Sequence, residues 1–292
     1  MLRAKASSAS ALSVVLEQAM ARLAAAGIEN SHLDAQVLLA EAAHTDRATL
    51  VAGSIDLTPE VAARYEAFVG RRAAHEPVAY ILGRREFYSL EFEVNRDVLI
   101  PRPHTETVVD AALEFIAGRP RARVLEIGTG PGPIAIAIAV NAPEVGVIAT
   151  DISAEALQVA RRNAERNGMA ERVSFVRADV FQPLDAATAL GRFDLVVSNP
   201  PYIVSQAISG LEPDVCQFEP HLALRGGDDG LDFFRRIAAD AKLHLVKDGL
   251  LVLEVGAGQD TPVAEILKKA GMHPQRVIND LDGIARVVTA RH

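Results

Sequence analysis

The chain has 292 residues, 49% hydrophobic and 23% charged, which predicts a soluble globular protein with a full core, arranged as one large domain or two ordinary ones. Its net charge of −8 argues against a general nucleic-acid binder, which carries a basic face; Arg71, Arg72, Arg84 and Arg85 are the best source of a local basic patch. The single cysteine, Cys216, excludes an internal disulfide framework and fits a reducing cytoplasm, where the protein is expected. No apolar run approaches the roughly 20 residues that span a bilayer. The opening MLRAKASSAS lacks the apolar core and cleavage site of a secretory leader, so no membrane association is expected.

Residues 1–76 read as a helical bundle. Leu12, Val15, Leu16, Ala19 and Leu23 recur at helical spacing, and Gly27 stops that helix. A second helix is predicted from Ser31, taken as its N-cap, with Leu33, Val37 and Leu38 on one face. A third follows Thr58-Pro59, threonine as cap and proline at the first helical position, and runs through Val61, Tyr65 and Phe68. Such a bundle packs or recognises and carries no chemistry of its own. Over residues 77–100 the period changes. Tyr80 to Tyr88 and Leu90 to Val94 alternate as strands, with Gly83 and Asn95-Arg96-Asp97 as turns, which predicts a β-hairpin hinge. Pro101-Arg102-Pro103 then stiffens the entry to a helix holding Val108, Val109, Ala112, Leu113 and Phe115.

Residues 101–292 form the second expected domain. From about 121 strands and helices alternate, the pattern of a mostly parallel sheet covered on both faces. Strands are predicted at 124–127, 147–150, 173–176, 195–198 and 250–255, with two more near 275–278 and 285–289. Seven strands of this kind make a Rossmann-like α/β fold. The clearest helix between them runs from Ser153 to Asn167 and stops at Gly168.

Three strand ends carry groups suited to a nucleoside cofactor. Gly128-Thr129-Gly130-Pro131-Gly132 follows the first strand and precedes an apolar helix, and glycines there let the backbone approach a ligand closely. A dinucleotide enzyme wants G-x-G-x-x-G or a final alanine. That last position is Pro133, so nicotinamide fits badly, and the G-x-G-x-G spacing suits the methionine part of S-adenosylmethionine. Asp151 ends the second strand, where a carboxylate accepts from ribose hydroxyls. Asp179 ends the third, placed to accept from an adenine amino group, with Val180 and Phe181 flanking the ring. Ligands of open α/β sheets bind outside the carboxyl ends of the strands, where all three groups fall. No metal is expected.

Asn199-Pro200-Pro201-Tyr202 follows the fourth strand. Each proline fixes its own φ and pushes the preceding residue into an extended conformation, so the carbonyls of Asn199 and Pro200 point in set directions. A primary amide nitrogen is planar, and its methylation needs acceptors on both N–H groups with one face turned to the donor. The Asn199 side-chain oxygen and the Pro200 carbonyl supply those acceptors, and Tyr202 is expected to pack against the planar group. No strong base is required, because the nitrogen loses its proton after taking the methyl; catalysis is positioning and electrostatics. Asn199 is also counted among the cofactor contacts, and Arg102 among the substrate contacts.

With these motifs the sequence resembles the release-factor glutamine methyltransferases of the HemK type over nearly its whole length. The most specific stretches are Tyr80–Phe92, Leu99–Pro103, Asp151-Ile152-Ser153, Ser198–Ile203 and Glu219–Arg236. The resemblance implies a helical bundle for substrate recognition, a β-hairpin hinge and a seven-stranded class I methyltransferase domain. It implies methyl transfer from S-adenosylmethionine, leaving S-adenosylhomocysteine, to N5 of the glutamine in the Gly-Gly-Gln loop of peptide chain release factors. Asn199, Pro200, Pro201 and Tyr202 would bind that glutamine; Gly128 to Gly132, Asp151 and Val180 would hold the cofactor. The family usually has an acidic residue where His104 stands, serine at Pro131 and commonly arginine at His221. Other acceptors compatible with the N-P-P-Y sequence are a ribosomal-protein glutamine and the exocyclic nitrogen of adenine in nucleic acid. The acidic balance and the lack of a basic target-recognition domain count against adenine. A non-catalytic relative is the remaining reading, and the intact Asn199 opposes it.

Overall fold

The computed structural model describes residues 2–51, 55–184 and 191–292. Contacts divide the chain into two compact units, Met1–Gly83 with Glu212–Phe218, and Arg84–Leu211 with Glu219–His292. No described helix is long and apolar enough to cross a membrane.

The first unit is helical: α1 (Leu2–Ala25), α2 (Ser31–Ala42), α3 (Arg47–Val51), α4 (Pro59–Ala73), α5 (Val78–Leu82) and, from later in the chain, α9 (Pro213–Phe218). Leu23, Leu38, Leu39, Tyr65 and Val69 form its core. Thr58 caps α4 as expected, its hydroxyl accepting from the Val61 N–H at 3.3 Å. Ser31 does not cap α2. It is the first helical residue, Asn30 holds the cap position, and no side-chain cap bond forms there. The predicted strand over Tyr80–Leu82 is instead the short helix α5, closed by Gly83 in the left-handed conformation. Its apolar run suits either period over so few residues. Arg72 is buried against Asp34 at 2.8 Å and lies 3.7 Å from Asp214, while Arg71 pairs with Glu76 at 2.8 Å. These two arginines of the expected basic patch are therefore committed inside their own unit.

The second unit begins with the hairpin β1 (Arg84–Phe87) and β2 (Leu90–Glu93). Its turn is Tyr88-Ser89, both with positive φ (52° and 59°), as a two-residue hairpin turn requires. The turn was expected at Gly83 and at 95–97; without Asn or Gly at 88–89, turn chemistry gives no sign of it. The remaining elements are α6 (Glu106–Ile116), β3 (Arg123–Ile127), α7 (Pro133–Asn141), β4 (Gly146–Asp151), α8 (Ala154–Arg166), β5 (Val173–Arg177), β6 (Phe193–Ser198), α10 (Asp232–His244), β7 (Leu245–Glu254), α11 (Asp260–Lys269), β8 (His273–Asn279) and β9 (Ala285–Arg291). The seven-stranded sheet runs β5-β4-β3-β6-β7-β9-β8. The first five strands are parallel, and β9 is antiparallel to both β7 and β8. One face is covered by a cluster including Val108, Phe115, Ile134 and Ile138, the other by one including Phe234, Ile237, Val263 and Leu267.

The hairpin is packed into this unit. Phe87 and Phe92 sit buried in the first of those clusters, edge to face with centroids 6.1 Å apart. The Asn163 side chain on α8 accepts from Glu93 N–H at 2.6 Å and donates to the Glu93 carbonyl at 3.0 Å and the Pro131 carbonyl at 2.8 Å. Arg162 adds a forked pair to Glu93. Burial of this kind makes Phe92→Ala cost about 3–5 kcal/mol. Urea unfolding of the full chain measures that loss, and a variant within about 1 kcal/mol of the parent would show the hairpin to be a loose link.

Candidate functional site

Strand order reverses between β3 and β6, so the chain leaves these neighbouring strands toward opposite sides and a crevice opens beyond their carboxyl ends. A cavity of about 290 Å³ lies there. It is lined by Gly128, Thr129, Gly130, Pro131, Asp151, Asp179, Val180, Asn199, Pro200, Pro201 and Arg102, so most of the residues singled out in the sequence meet in one place. Gly132 and Tyr202 are not in the lining.

The glycine loop crosses the end of β4, with the Thr129 N–H donating to the Thr150 carbonyl at 2.8 Å. Gly128 and Gly130 have φ of 71° and 54°, closed to other residues without strain. Gly132 serves packing: a Cβ there would stand 2.9 Å from Ile136 Cδ1 and 3.4 Å from Ala160 Cβ. The Pro131 N–H missing from this loop is matched by use of its carbonyl, which Asn163 binds.

Asp151 accepts from the Gly130 N–H and the Ser153 N–H, one on each oxygen, both at 2.9 Å. Each oxygen keeps a second acceptor site, so the carboxylate is oriented by backbone donors and can still take ribose-like hydroxyls. Burial raises its pKa and those N–H donors oppose the rise. Asp179 is exposed and pairs with Arg236 at 2.7 Å. One of its oxygens is thereby shared with a cation, which the sequence reading did not foresee. Val180 beside it is buried with φ of 58°.

On the other side of the crevice, the Ser198 hydroxyl donates to the Ile127 carbonyl at 2.7 Å and joins the ends of β6 and β3. Asn199 follows. Its Nδ2 donates to the Thr105 hydroxyl at 3.2 Å, which leaves Oδ1 as the acceptor. Neither that oxygen nor the Pro200 carbonyl takes a hydrogen bond from the described residues. Thr105, buried at the head of α6, was missed in the sequence; a lone threonine after a proline-rich entry reads as a cap. Arg102 is tied to the buried carboxylate of Glu219, which also accepts from the Ile100 N–H at 3.2 Å. Arg102 is thus anchored from behind where it lines the cavity. Tyr202 is half-buried, its hydroxyl 3.5 Å from Glu254 Oε1. Burial and the Glu254 charge push that phenol up to about 12.

The fold and this strand-end cavity define a methyltransferase. Residues 107–212 match the methyltransferase small domain. The hMettl16 catalytic domain in complex with MAT2A 3'UTR hairpin 1 superposes with a TM-score of 0.58 at 18% identity, covering 76% of this chain and 80% of that one, a likeness of fold. Residues 15–83 match the PrmC N-terminal domain. The release factor glutamine methyltransferase of Cereibacter sphaeroides is 46% identical over 94% of this chain and 96% of its own, and that of Rhodospirillum rubrum 40% over 97% and 86%. The chain belongs to the release factor glutamine methyltransferase family.

Glu126, at the foot of the glycine loop, accepts from the Thr129 hydroxyl at 2.6 Å and the Ala135 N–H at 3.1 Å. Burial raises its pKa from 4.5 to about 8, the Asp151 charge adding to the rise and those two donors opposing it. Between these two values the folded chain holds more protons than the unfolded one. The contribution to stability is therefore complete below about 4.5 and is lost as pH rises toward about 8. Glu126→Gln removes this part of the slope. Chemical denaturation across that window should show a smaller loss of stability in the variant than in the parent; identical slopes would contradict the assignment.

Proposed function

We propose that the chain transfers a methyl group from S-adenosylmethionine to the side-chain amide nitrogen, N5, of the glutamine in the Gly-Gly-Gln motif of peptide chain release factors. The observation that carries this reading is the state of Asn199. Thr105 holds its NH2 group, leaving Oδ1 and the neighbouring Pro200 carbonyl as two acceptors beside the cavity that take no hydrogen bond from the described residues. A primary amide has two N–H groups to give, and the relatives' shared name supplies glutamine as the acceptor.

When bound, S-adenosylmethionine would supply a sulfonium-bound methyl group; its transfer would leave S-adenosylhomocysteine, and the methylated nitrogen would release one proton to solvent. Gly128 and Gly130 give the cofactor room at the backbone, and Asp151 offers its remaining lone pairs to ribose hydroxyls. Val180 and Asp179 would flank and accept from the cofactor's adenine, with Arg236 drawing on the Asp179 charge. Asn199 and Pro200 fix the plane of the target amide and favour the positive charge that develops on its nitrogen. Arg102, braced by Glu219, is placed on the substrate side. The helical unit, residues 1–76 in the division read from sequence, selects the protein substrate. The commitment of Arg71 and Arg72 to acidic partners supports a protein target over nucleic acid, and a cytoplasmic site follows from that substrate.

Asn199→Ala removes one acceptor and should slow methyl transfer at least about 10²-fold at saturating cofactor, with cofactor affinity little changed. Asn199→Asp keeps an acceptor and should retain activity well above the alanine variant. Steady-state transfer of labelled methyl to a release factor reads both. An alanine variant as fast as the parent would dismantle the amide clamp.

A further inference from the structure

The segment Glu254-Val255-Gly256-Ala257-Gly258-Gln259 runs from the last residue of β7 into the turn beyond it, and neither the cavity nor the cofactor motifs use it. Its side chains converge on Tyr202. Gln259 Nε2 donates to the Tyr202 carbonyl at 3.0 Å and to the Gly230 carbonyl at 3.4 Å. Gln259 Oε1 accepts from the Gly256 N–H at 3.0 Å, so both ends of the side-chain amide are engaged. The Tyr202 ring lies on Gly256, where a Cβ would come within 3.1 Å of Cδ2. Its hydroxyl meets Glu254 Oε1 at 3.5 Å. That carboxylate is fully buried, lies 3.2 Å from His104 Nε2, and leaves Oε2 without a hydrogen bond among the described residues. The opposite side is equally close: a Cβ on Gly230 would stand 2.5 Å from the Tyr202 carbonyl oxygen, and one on Gly226 2.7 Å from Tyr202 Cα.

We propose that Gln259 and Glu254 are positioning residues that clasp Tyr202 at its carbonyl and its hydroxyl, and that through Tyr202 they fix Asn199 and Pro200. Tyr202 is outside the cavity lining, whereas the three residues before it are inside. Pro200 and Pro201 have no freedom in φ, so a displacement of the Tyr202 backbone passes along two stiff residues to the Asn199 carboxamide. A buried carboxylate set against both the Tyr202 hydroxyl and His104 Nε2 holds the ring from one side, and a glutamine whose three hydrogen bonds all end on backbone holds a loop in one place.

This inference rests on glutamine methylation as the reaction. Tyr202→Phe, Gln259→Glu and Gln259→Leu, each in the full chain, are compared with the parent for labelled methyl transfer to a release factor and for cofactor affinity by calorimetry. Gln259→Glu keeps the acceptor for Gly256 and loses the donor to Tyr202; Gln259→Leu loses both. The expected result is a fall in kcat of about tenfold or more for both Gln259 variants, because small displacements of a positioned group carry losses of that size. Cofactor affinity stays at the parental value, and Tyr202→Phe keeps more activity than either. Gln259 variants with parental kcat overturn the clasp. So does loss confined to cofactor affinity or to KM for the release factor. A parent that leaves the release-factor glutamine unmethylated overturns instead the reaction on which the clasp depends. Gly230→Ala presses on the same contact without altering either partner's chemistry, its Cβ falling 2.5 Å from the Tyr202 carbonyl oxygen and 2.8 Å from Gln259 Nε2: it should lower kcat in the same way, and an unchanged kcat also contradicts the proposal.

Discussion

A parallel sheet whose strand order reverses must send its crossovers to opposite sides at one pair of neighbours, and here that pair is β3 and β6. The Ser198 hydroxyl on the Ile127 carbonyl holds the two strand ends together. On the β3 side the chain turns at once into a glycine loop; on the β6 side it cannot turn, because Pro200 and Pro201 keep it extended. One half of the crevice therefore presents backbone and a carboxylate, and the other presents two carbonyl-type oxygens in fixed directions. Moving either strand end by a residue would exchange the faces to which these groups point.

The groups that line the cavity are held by buried polar contacts behind them. Asn163 binds β2 and the glycine loop with one carboxamide, so the hairpin and the cofactor side share a support. Glu219 binds Arg102 and the Ile100 N–H, and Thr105 turns Asn199. A buried polar group left without its partner costs more than the bond itself contributes. Such contacts specify one arrangement of the site more strongly than apolar packing does, and they leave little freedom for reorganisation when charge develops.

Sequence exposed most of this where a residue's chemistry is local. The seven strands follow from short apolar runs bounded by turns, and the glycine loop, Asp151 and the Asn-Pro-Pro segment are legible because glycine, proline and strand-end carboxylates act on their own backbone. What escaped notice depends on partners far away in the chain. Thr105 meets Asn199 across 94 residues, and Gln259 meets Tyr202 across 57. Arg236 reaches Asp179 from α10, and the Tyr202 hydroxyl meets Glu254 across 52 residues. The apolar run within α5 fits a strand as well as a helix, because the five residues of that helix are too few to separate the two periods. The turn at Tyr88-Ser89 carries no glycine or asparagine to betray its positive φ.

On the proposed reading, two acceptors at the end of β6 hold a planar glutamine amide for methylation. Mass spectrometry of a release factor after incubation with the full chain and S-adenosylmethionine tests it most directly, with fragmentation to locate the added group. One methyl group is expected on the glutamine side chain of the Gly-Gly-Gln motif, and none when that glutamine is replaced. A methyl group on a backbone nitrogen, a lysine or a carboxylate, or transfer that survives loss of the glutamine, would contradict it.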